Sequence, residues 1–289
     1  MKEFNVMTYN VAGLPSTLDL NDLPWVLKPI AWIYKLIKGT TLITVSDRKI
    51  DRDKIADYLS KSGCDIIGVQ EDFSNQHAYK YSKGTDRGGF NLKKLFSSIT
   101  WFPPRFKADG INILYNNRIK VNSEKIIWWN KSNGYISHAN DALTHKGFRY
   151  YNLTIDNEYG LDLYIIHMDA DFYHPINCPN IEDDVKARRS QLEQLANFIN
   201  GNKYSKNPIL IIGDTNSTDY TWDIDNFNHF RFELGKPLYE ILPNPTVDRM
   251  FVINNTNSKY KLCCIYQEID NNMKETDHRP FIVKFKMYE

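Results

Sequence analysis

Apolar runs rich in Ile and Val recur along the chain, and six of them carry a polar side chain at one end. Asn10 follows Phe4-Asn5-Val6-Met7-Thr8-Tyr9, and Glu71 closes the run from Asp65 to Gln70. His167 follows Leu163-Tyr164-Ile165-Ile166, while Asp214 and Asn216 follow Ile209-Leu210-Ile211-Ile212-Gly213. Asp248 stands just before Met250-Phe251-Val252-Ile253, and Asp277-His278 precedes Phe281-Ile282-Val283. Runs of this length and β-branched content predict buried strands. Polar groups at their ends project from a rigid sheet into loops, where chemistry concentrates.

The pattern predicts strands at 4–10, 65–70, 208–213, 247–253, 260–268 and 280–286. Residues 109–115 and 119–129 predict a hairpin, and 147–155 with 161–167 a second pair. Helical spacing marks 48–62, with Ile50, Ile55, Tyr58 and Leu59 apolar and Gly63 as its stop. A second helix is predicted at 182–200, where Val185, Leu192, Leu195, Ala196 and Ile199 share a face behind an acidic first turn. From 217 to about 245 the sequence reads as an irregular polar stretch. Many strands with few helices, in mixed order, predict an α/β protein of two packed mixed β-sheets flanked by helices. No internal repeat or low-complexity linker divides residues 1–289, so one domain is expected.

An insertion at about 14–45 separates the first strand from its helix. Pro29 through Gly39 predicts a short helix, with Pro near the start and Gly past the end. It is too short to span a bilayer. Its apolar and aromatic residues, Trp32 and Tyr34 among them, join Trp25 and three lysines, with no acid between Leu23 and Ser46. That composition suits an interfacial helix against anionic headgroups, with Trp25, Trp32 and Tyr34 as membrane contacts. A lid packed on the protein's own core is the alternative. Trp128-Trp129 with Tyr135 poses the same choice between core packing and a bilayer anchor.

Composition narrows the classes. The chain has 289 residues, 42% hydrophobic and 25% charged, which is ordinary for a globular protein. A formal net charge of +1 advertises no polyanionic partner, so nucleic acid is a less favoured ligand. Cys64, Cys178, Cys263 and Cys264 fit no zinc spacing and read as structural or free thiols. Met1 is followed almost at once by the first strand, so no signal peptide is read. A cytosolic protein, or a mature secreted form without its leader, is expected, acting as a monomer.

The polar strand ends supply a coherent chemistry. A carboxylate with an amide oxygen is a hard-oxygen donor set, suited to Mg²⁺ with Mn²⁺ as substitute. Glu71 is the direct metal-ligand candidate, helped by Asn10. Asp214 and Asn216 are spaced to grip one water or phosphate oxygen. Asp248 is placed to orient the ring of His278, and His167 is the second imidazole. Two histidines and a metal around one phosphate are the parts of phosphoester hydrolysis.

In order along the chain, these motifs resemble the endonuclease/exonuclease/phosphatase superfamily, from Thr8-Tyr9-Asn10 to Thr276-Asp277-His278-Arg279-Pro280. The resemblance implies a Mg²⁺-dependent, deoxyribonuclease-I-like four-layer α/β sandwich. It implies Asn10, Glu71 and Asp277 at the metal, and His167 stabilising phosphate or protonating the leaving group. It also implies Asp214 and Asn216 orienting the nucleophilic water, Asp248 holding His278, and His278 as general base or phosphate ligand.

Two stretches narrow the branch. Asp141-Ala142-Leu143-Thr144-His145-Lys146-Gly147-Phe148 is similar to the Asp-x-Leu-x-x-Lys-Gly-Phe segment of bacterial sphingomyelinases, which implies Asp141 and Lys146 at the substrate. A salt-bridged surface lysine is the other reading of Lys146. His167-Met168-Asp169-Ala170-Asp171 and Arg188-Arg189-Ser190-Gln191 resemble that group's His-x-Gln-x-x-Asp and Arg-x-x-Gln helix, with Asp169 departing from its Gln. A phospholipid headgroup ester is the expected substrate. An inositol-polyphosphate phosphatase is the alternative, since Val247-Asp248-Arg249-Met250 resembles its Cys-Asp-Arg segment; no Tyr-Arg follows Asn216, however. A nuclease stands third, and a lipid- or protein-binding scaffold is the non-enzyme alternative.

Overall fold

The computed structural model describes residues 1–13, 17–19, 28–40, 42–44, 50–72, 100–101, 104–105, 109–133, 145–170, 181–202, 206–217, 221–241 and 246–289. The first strands are β1 (Lys2–Asn10), β2 (Thr17–Asp19), β3 (Leu42–Thr44), β4 (Ile66–Gln70), β5 (Thr100–Trp101), β6 (Pro104–Arg105) and β7 (Asn112–Tyr115). There follow β8 (Ile119–Trp128), β9 (Gly147–Ile155), β10 (Tyr159–His167), β11 (Ile209–Asp214), β12 (Tyr239–Ile241), β13 (Asp248–Ile253), β14 (Lys261–Ile269) and β15 (Phe281–Tyr288). The helices are α1 (Lys28–Lys38), α2 (Arg52–Lys61), α3 (Ile181–Gly201) and α4 (Thr221–Leu234).

Two mixed sheets carry the architecture, in the orders β14-β15-β1-β4-β7 and β12-β13-β11-β10-β9-β8. Alternation along each strand sends one set of side chains between the sheets and the other outward. Val6, Ile66, Ile113 and Val283 of the first sheet meet Leu163, Ile165, Leu210, Ile212 and Val252 of the second in the central core. The opposite face of the first sheet (Met7, Tyr9, Ile67, Val69) buries Ile55 and Leu59 of α2. The opposite face of the second (Tyr164, Ile166, Ile211, Phe251) buries Leu192, Leu195 and Ile199 of α3 with Phe227 and Phe230 of α4. The layers are therefore helix, sheet, sheet, helix, as expected for the deoxyribonuclease-I-like fold.

Three local expectations need correction. The runs at 109–115 and 119–129 do not form a hairpin: β7 pairs with β4, and β8 pairs with β9 in the other sheet. Both send apolar residues into the same central core from opposite sides, which periodicity cannot distinguish. The crossing is pinned at Asp65, which accepts from Asn116 Nδ2 at 2.7 Å and Arg118 Nη1 at 2.8 Å. The stretch from 217 to 245 is not irregular, since it holds α4 and β12. Its aromatic-rich segment ranks low in helix propensity, and burial of Phe227, Phe230 and Leu234 overrides that. The helix expected from residue 48 begins at Arg52, because Asp51 caps it by accepting from Lys54 N.

Candidate active site

Strand direction gathers the polar ends at one pole. β1 runs parallel to β4, and β10 parallel to β11, so Asn10, Glu71, His167 and Asp214 leave their sheets on the same side. The antiparallel neighbours β13 and β15 start there, bringing Asp248 opposite Asp214 and the Thr276–His278 turn beside Asn10. His167 lies opposite Asp214 in the register of β10 and β11. Backbone strain accompanies this convergence: Ala12, Glu71 and Asn216 hold φ of 45°, 55° and 49° without being glycine.

Asp214 Oδ2 is the hub. It accepts from Asn10 Nδ2 at 2.9 Å and lies 3.7 Å from both His167 Nε2 and His278 Nε2. Its other oxygen accepts from the Asn216 N–H at 2.8 Å. Asn10 Nδ2 also donates to Glu71 Oε1 at 3.0 Å, while its Oδ1 accepts from Ala12 N at 2.9 Å. In this arrangement the Asn10 amide positions the two carboxylates. Asp248 Oδ2 and His278 Nδ1 are 2.8 Å apart. Asn216 Nδ2 donates to the Met168 carbonyl, tying the Asp214 loop to the His167 loop.

The two imidazoles are driven to opposite charge states. Burial holds His167 well below the ordinary value of 6.5, and the Lys146 ammonium and His278 reinforce this. Burial also opposes the charge of His278, yet Asp248 and Asp214 outweigh it and raise that group to about 10. At neutral pH one ring is neutral and the other cationic, the separation that assigns different proton-transfer tasks. Burial raises the Asp214 carboxyl as well, opposed by His278 and reinforced by Asp248. Among the described residues, both nitrogens of His167, 1% exposed, have no hydrogen-bond partner. Orphaned buried groups at a cleft are sites for a ligand.

A pH prediction follows for metal-free protein. Folded His167 lacks the proton that the unfolded chain takes up below 6.5, so stability falls as pH drops beneath that value. Folded His278 keeps its proton longer, so its contribution is full below 6.5 and is lost as pH rises to about 10. Thermal melts across pH should show both slopes. His167→Gln should flatten the acid limb and His278→Gln the alkaline one; unchanged limbs would contradict this charge assignment.

The surrounding residues sort differently from the sequence expectations. Lys146 is no surface lysine: it is buried, and its Nζ donates to the Met168 carbonyl at 3.1 Å. Asp169 is buried as a structural anchor, accepting from Asn133 N at 2.7 Å and donating its own N–H to Gln191 Oε1. Arg188 joins that loop to α4, through the Asp169 carbonyl and Asp223. Trp129 is buried and its Nε1 donates to the His167 carbonyl at 2.8 Å, while Trp128 packs on His145. Trp129 is buried while Trp128, the last residue of β8, is partly exposed, so the two do not form one patch. Arg188, Gln191 and Trp129 thus support His167 without touching its ring. Asp277 is exposed beside His278. Asp141, Trp25 and Tyr135 lie outside the described residues.

The donors present fit a hard cation. Glu71 offers a carboxylate at the cleft, Asp214 a second, and Asn10 holds them together through one amide. Asp214, Asp248 and His278 also place ligand atoms within 4.8 Å of one another. There the imidazole carries its proton and already engages Asp248, so Glu71 is the better metal position.

A four-layer sandwich with carboxylates, an amide and two histidines at one pole defines a metal-dependent phosphoric ester hydrolase. The sequence profile of the Endonuclease/Exonuclease/phosphatase family matches residues 7–260, and the chain belongs to that family. No protein of curated function matches the sequence. Among solved structures, the Staphylococcus aureus beta toxin is similar at TM-score 0.58 and 15% identity, over 97% of this chain and 99% of that one. Sphingomyelinase C from Streptomyces griseocarneus is similar at 0.57 and 14%, over 98% and 99%. D. rerio TDP2, humanized by mutation, is similar at 0.56 and 16%, over 98% and 99%. No helix among the described residues is long and apolar enough to cross a membrane.

Proposed function

We propose that the protein is a Mg²⁺-dependent phosphodiesterase that cleaves the headgroup ester of a phospholipid, in the manner of a sphingomyelinase or phospholipase C. The observation that carries the chemistry is Asp214, held by Asn10 and Asn216 between a neutral and a cationic imidazole. Asp214, raised by burial, accepts a proton from the attacking water, which Asn216 helps to orient. Water oxygen bonds to phosphorus in line with the departing lipid alkoxide, whose P–O bond breaks. Charged His278, oriented by Asp248, grips a non-bridging phosphate oxygen. The departing alkoxide takes up a proton from solvent water, and His167, being neutral, can offer that oxygen an N–H hydrogen bond but not a net proton. A bound Mg²⁺ at Glu71 supplies Lewis-acid stabilisation of phosphate charge.

The lipid reading draws support from Lys146, buried behind the His167 loop in the segment similar to sphingomyelinases, and from the likeness to Sphingomyelinase C. TDP2, solved with a single strand DNA product, makes nucleic acid the competing class. A release assay on sphingomyelin, phosphatidylcholine, inositol phosphates and plasmid DNA separates them. Phosphorylated headgroup should be released from the choline lipids. Nicked plasmid, or inorganic phosphate from inositol phosphates, with intact lipids would overturn the substrate assignment.

Excess chelator should abolish turnover, Mg²⁺ should restore it, and Mn²⁺ should substitute. Glu71→Gln should weaken apparent Mg²⁺ affinity by roughly a hundredfold or more, the upper size that even indirect supports of metal ligands carry. Full turnover in chelator would refute the metal assignment.

A further inference from the structure

The insertion between β1 and α2 leaves the sheet and returns to it at the catalytic pole. It departs after Asn10, and α2 receives the chain beside the His278 turn, where Lys54 pairs with Glu275 and Tyr58 donates to Asp270 Oδ2 at 2.9 Å. Within it, α1 turns its apolar face outward. Trp32, Ile33, Leu36 and Ile37 are 64%, 51%, 65% and 72% exposed, and they form a stripe at helical spacing. Half-buried Tyr34 occupies the opposite side. A soluble helix ordinarily buries such a stripe, and exposed apolar patches mark interaction sites.

Charge decides the partner. Lys28, Lys35 and Lys38 are exposed, and α1 contains no acid. Lysine stems can run along apolar surface while their ammoniums reach phosphate level. We propose that α1 docks the enzyme on an anionic phospholipid bilayer, inserting Trp32, Ile33, Leu36 and Ile37 while its lysines meet the headgroups. The inference rests on the phospholipid reading above for its purpose, since docking brings the enzyme to its bilayer substrate. The docking itself is read from binding alone. An interfacial helix gains from apolar burial and from anionic attraction together.

The test is flotation of the full chain with vesicles of phosphatidylcholine alone or mixed equally with phosphatidylglycerol. Binding should favour the anionic vesicles and weaken as salt rises. Lys35→Gln with Lys38→Gln should weaken it about fivefold per lysine, and Trp32→Ser with Leu36→Ser by more than about tenfold. Melting temperatures should stay within a degree or so of wild type. No binding to either vesicle, or equal salt-insensitive binding to both, would overturn the proposal. A large fall in melting temperature in the Trp32/Leu36 variant would make α1 a core lid. A dimer in solution that the same variant dissociates would make the face an interface between copies. Vesicles bound but not cleaved would leave docking intact and sink the phospholipid-substrate reading instead.

Discussion

Asp214→Asn is expected to lower kcat by about three orders of magnitude, in the range that loss of a positioned proton acceptor carries. The substitution keeps side-chain volume but removes the negative charge and one acceptor. Asn10 Nδ2 and the Asn216 N–H each donate to one Asp214 oxygen, so the new amide must turn its NH₂ toward one of those donors. The abandoned donor costs about 1–3 kcal/mol, which should appear as a melting temperature lower by several degrees in a protein that remains folded. His278 loses one of the two carboxylates that keep it charged, so its titration, followed by NMR in metal-free protein, should move down from about 10. Asp248→Asn should move it down as well, with Asp214 intact. The combination of lost turnover, a modest melting shift and a displaced His278 titration distinguishes a proton acceptor from a structural carboxylate. Near-native kcat in the folded variant would remove Asp214 from the chemistry.

The convergence of polar residues at one pole was legible because they sit at the ends of strongly apolar runs, and strand ends are fixed by the sheet. Asn10, His167, Asp214 and Asp248 are all terminal residues of β1, β10, β11 and β13, where the motifs had placed them. What escaped the sequence depends on contacts between distant segments. The role of Asp169 arises from Asn133 and Gln191, far apart in sequence, and nothing local announces it. Trp129 looked like half of an aromatic patch until the strand placed its indole N–H on the His167 carbonyl. The α4 segment was missed because its aromatic residues are poor helix formers that burial against Phe251 makes helical. The supposed hairpin at 109–129 failed for a similar reason, since two sheets share one core and the chain steps between them. The charge states of the histidines were beyond sequence too. Burial dominates at His167, whereas His278 gains Asp248, 2.8 Å away and contributed by a distant strand, beside its own sequence neighbour Asp277.

Gly213→Ala should unfold the site more thoroughly than any catalytic substitution. Gly213 holds φ of 141°, and a Cβ there would lie 2.0 Å from the Ile166 carbonyl oxygen and 2.9 Å from the Ile166 nitrogen. Both are backbone atoms of β10, whose Ile166 pairs with Gly213 in the parallel ladder. No rotamer change relieves that overlap; the strands must part where His167 faces Asp214. The expected loss is above about 4 kcal/mol, at the extreme of single substitutions, or roughly 10 °C in melting temperature. Gly235 at the end of α4 is the control: its φ is 59°, but among the described residues an added Cβ meets nothing within 4 Å. Gly235→Ala should therefore cost only about 1 kcal/mol of backbone strain and leave turnover intact. If Gly213→Ala melts within about 2 °C of wild type, the close approach of β10 and β11 is not what sets the spacing of His167 and Asp214. A destabilised variant that still turns over normally when held below its melting temperature would carry the same message, since parting these strands must separate the imidazole from the carboxylate.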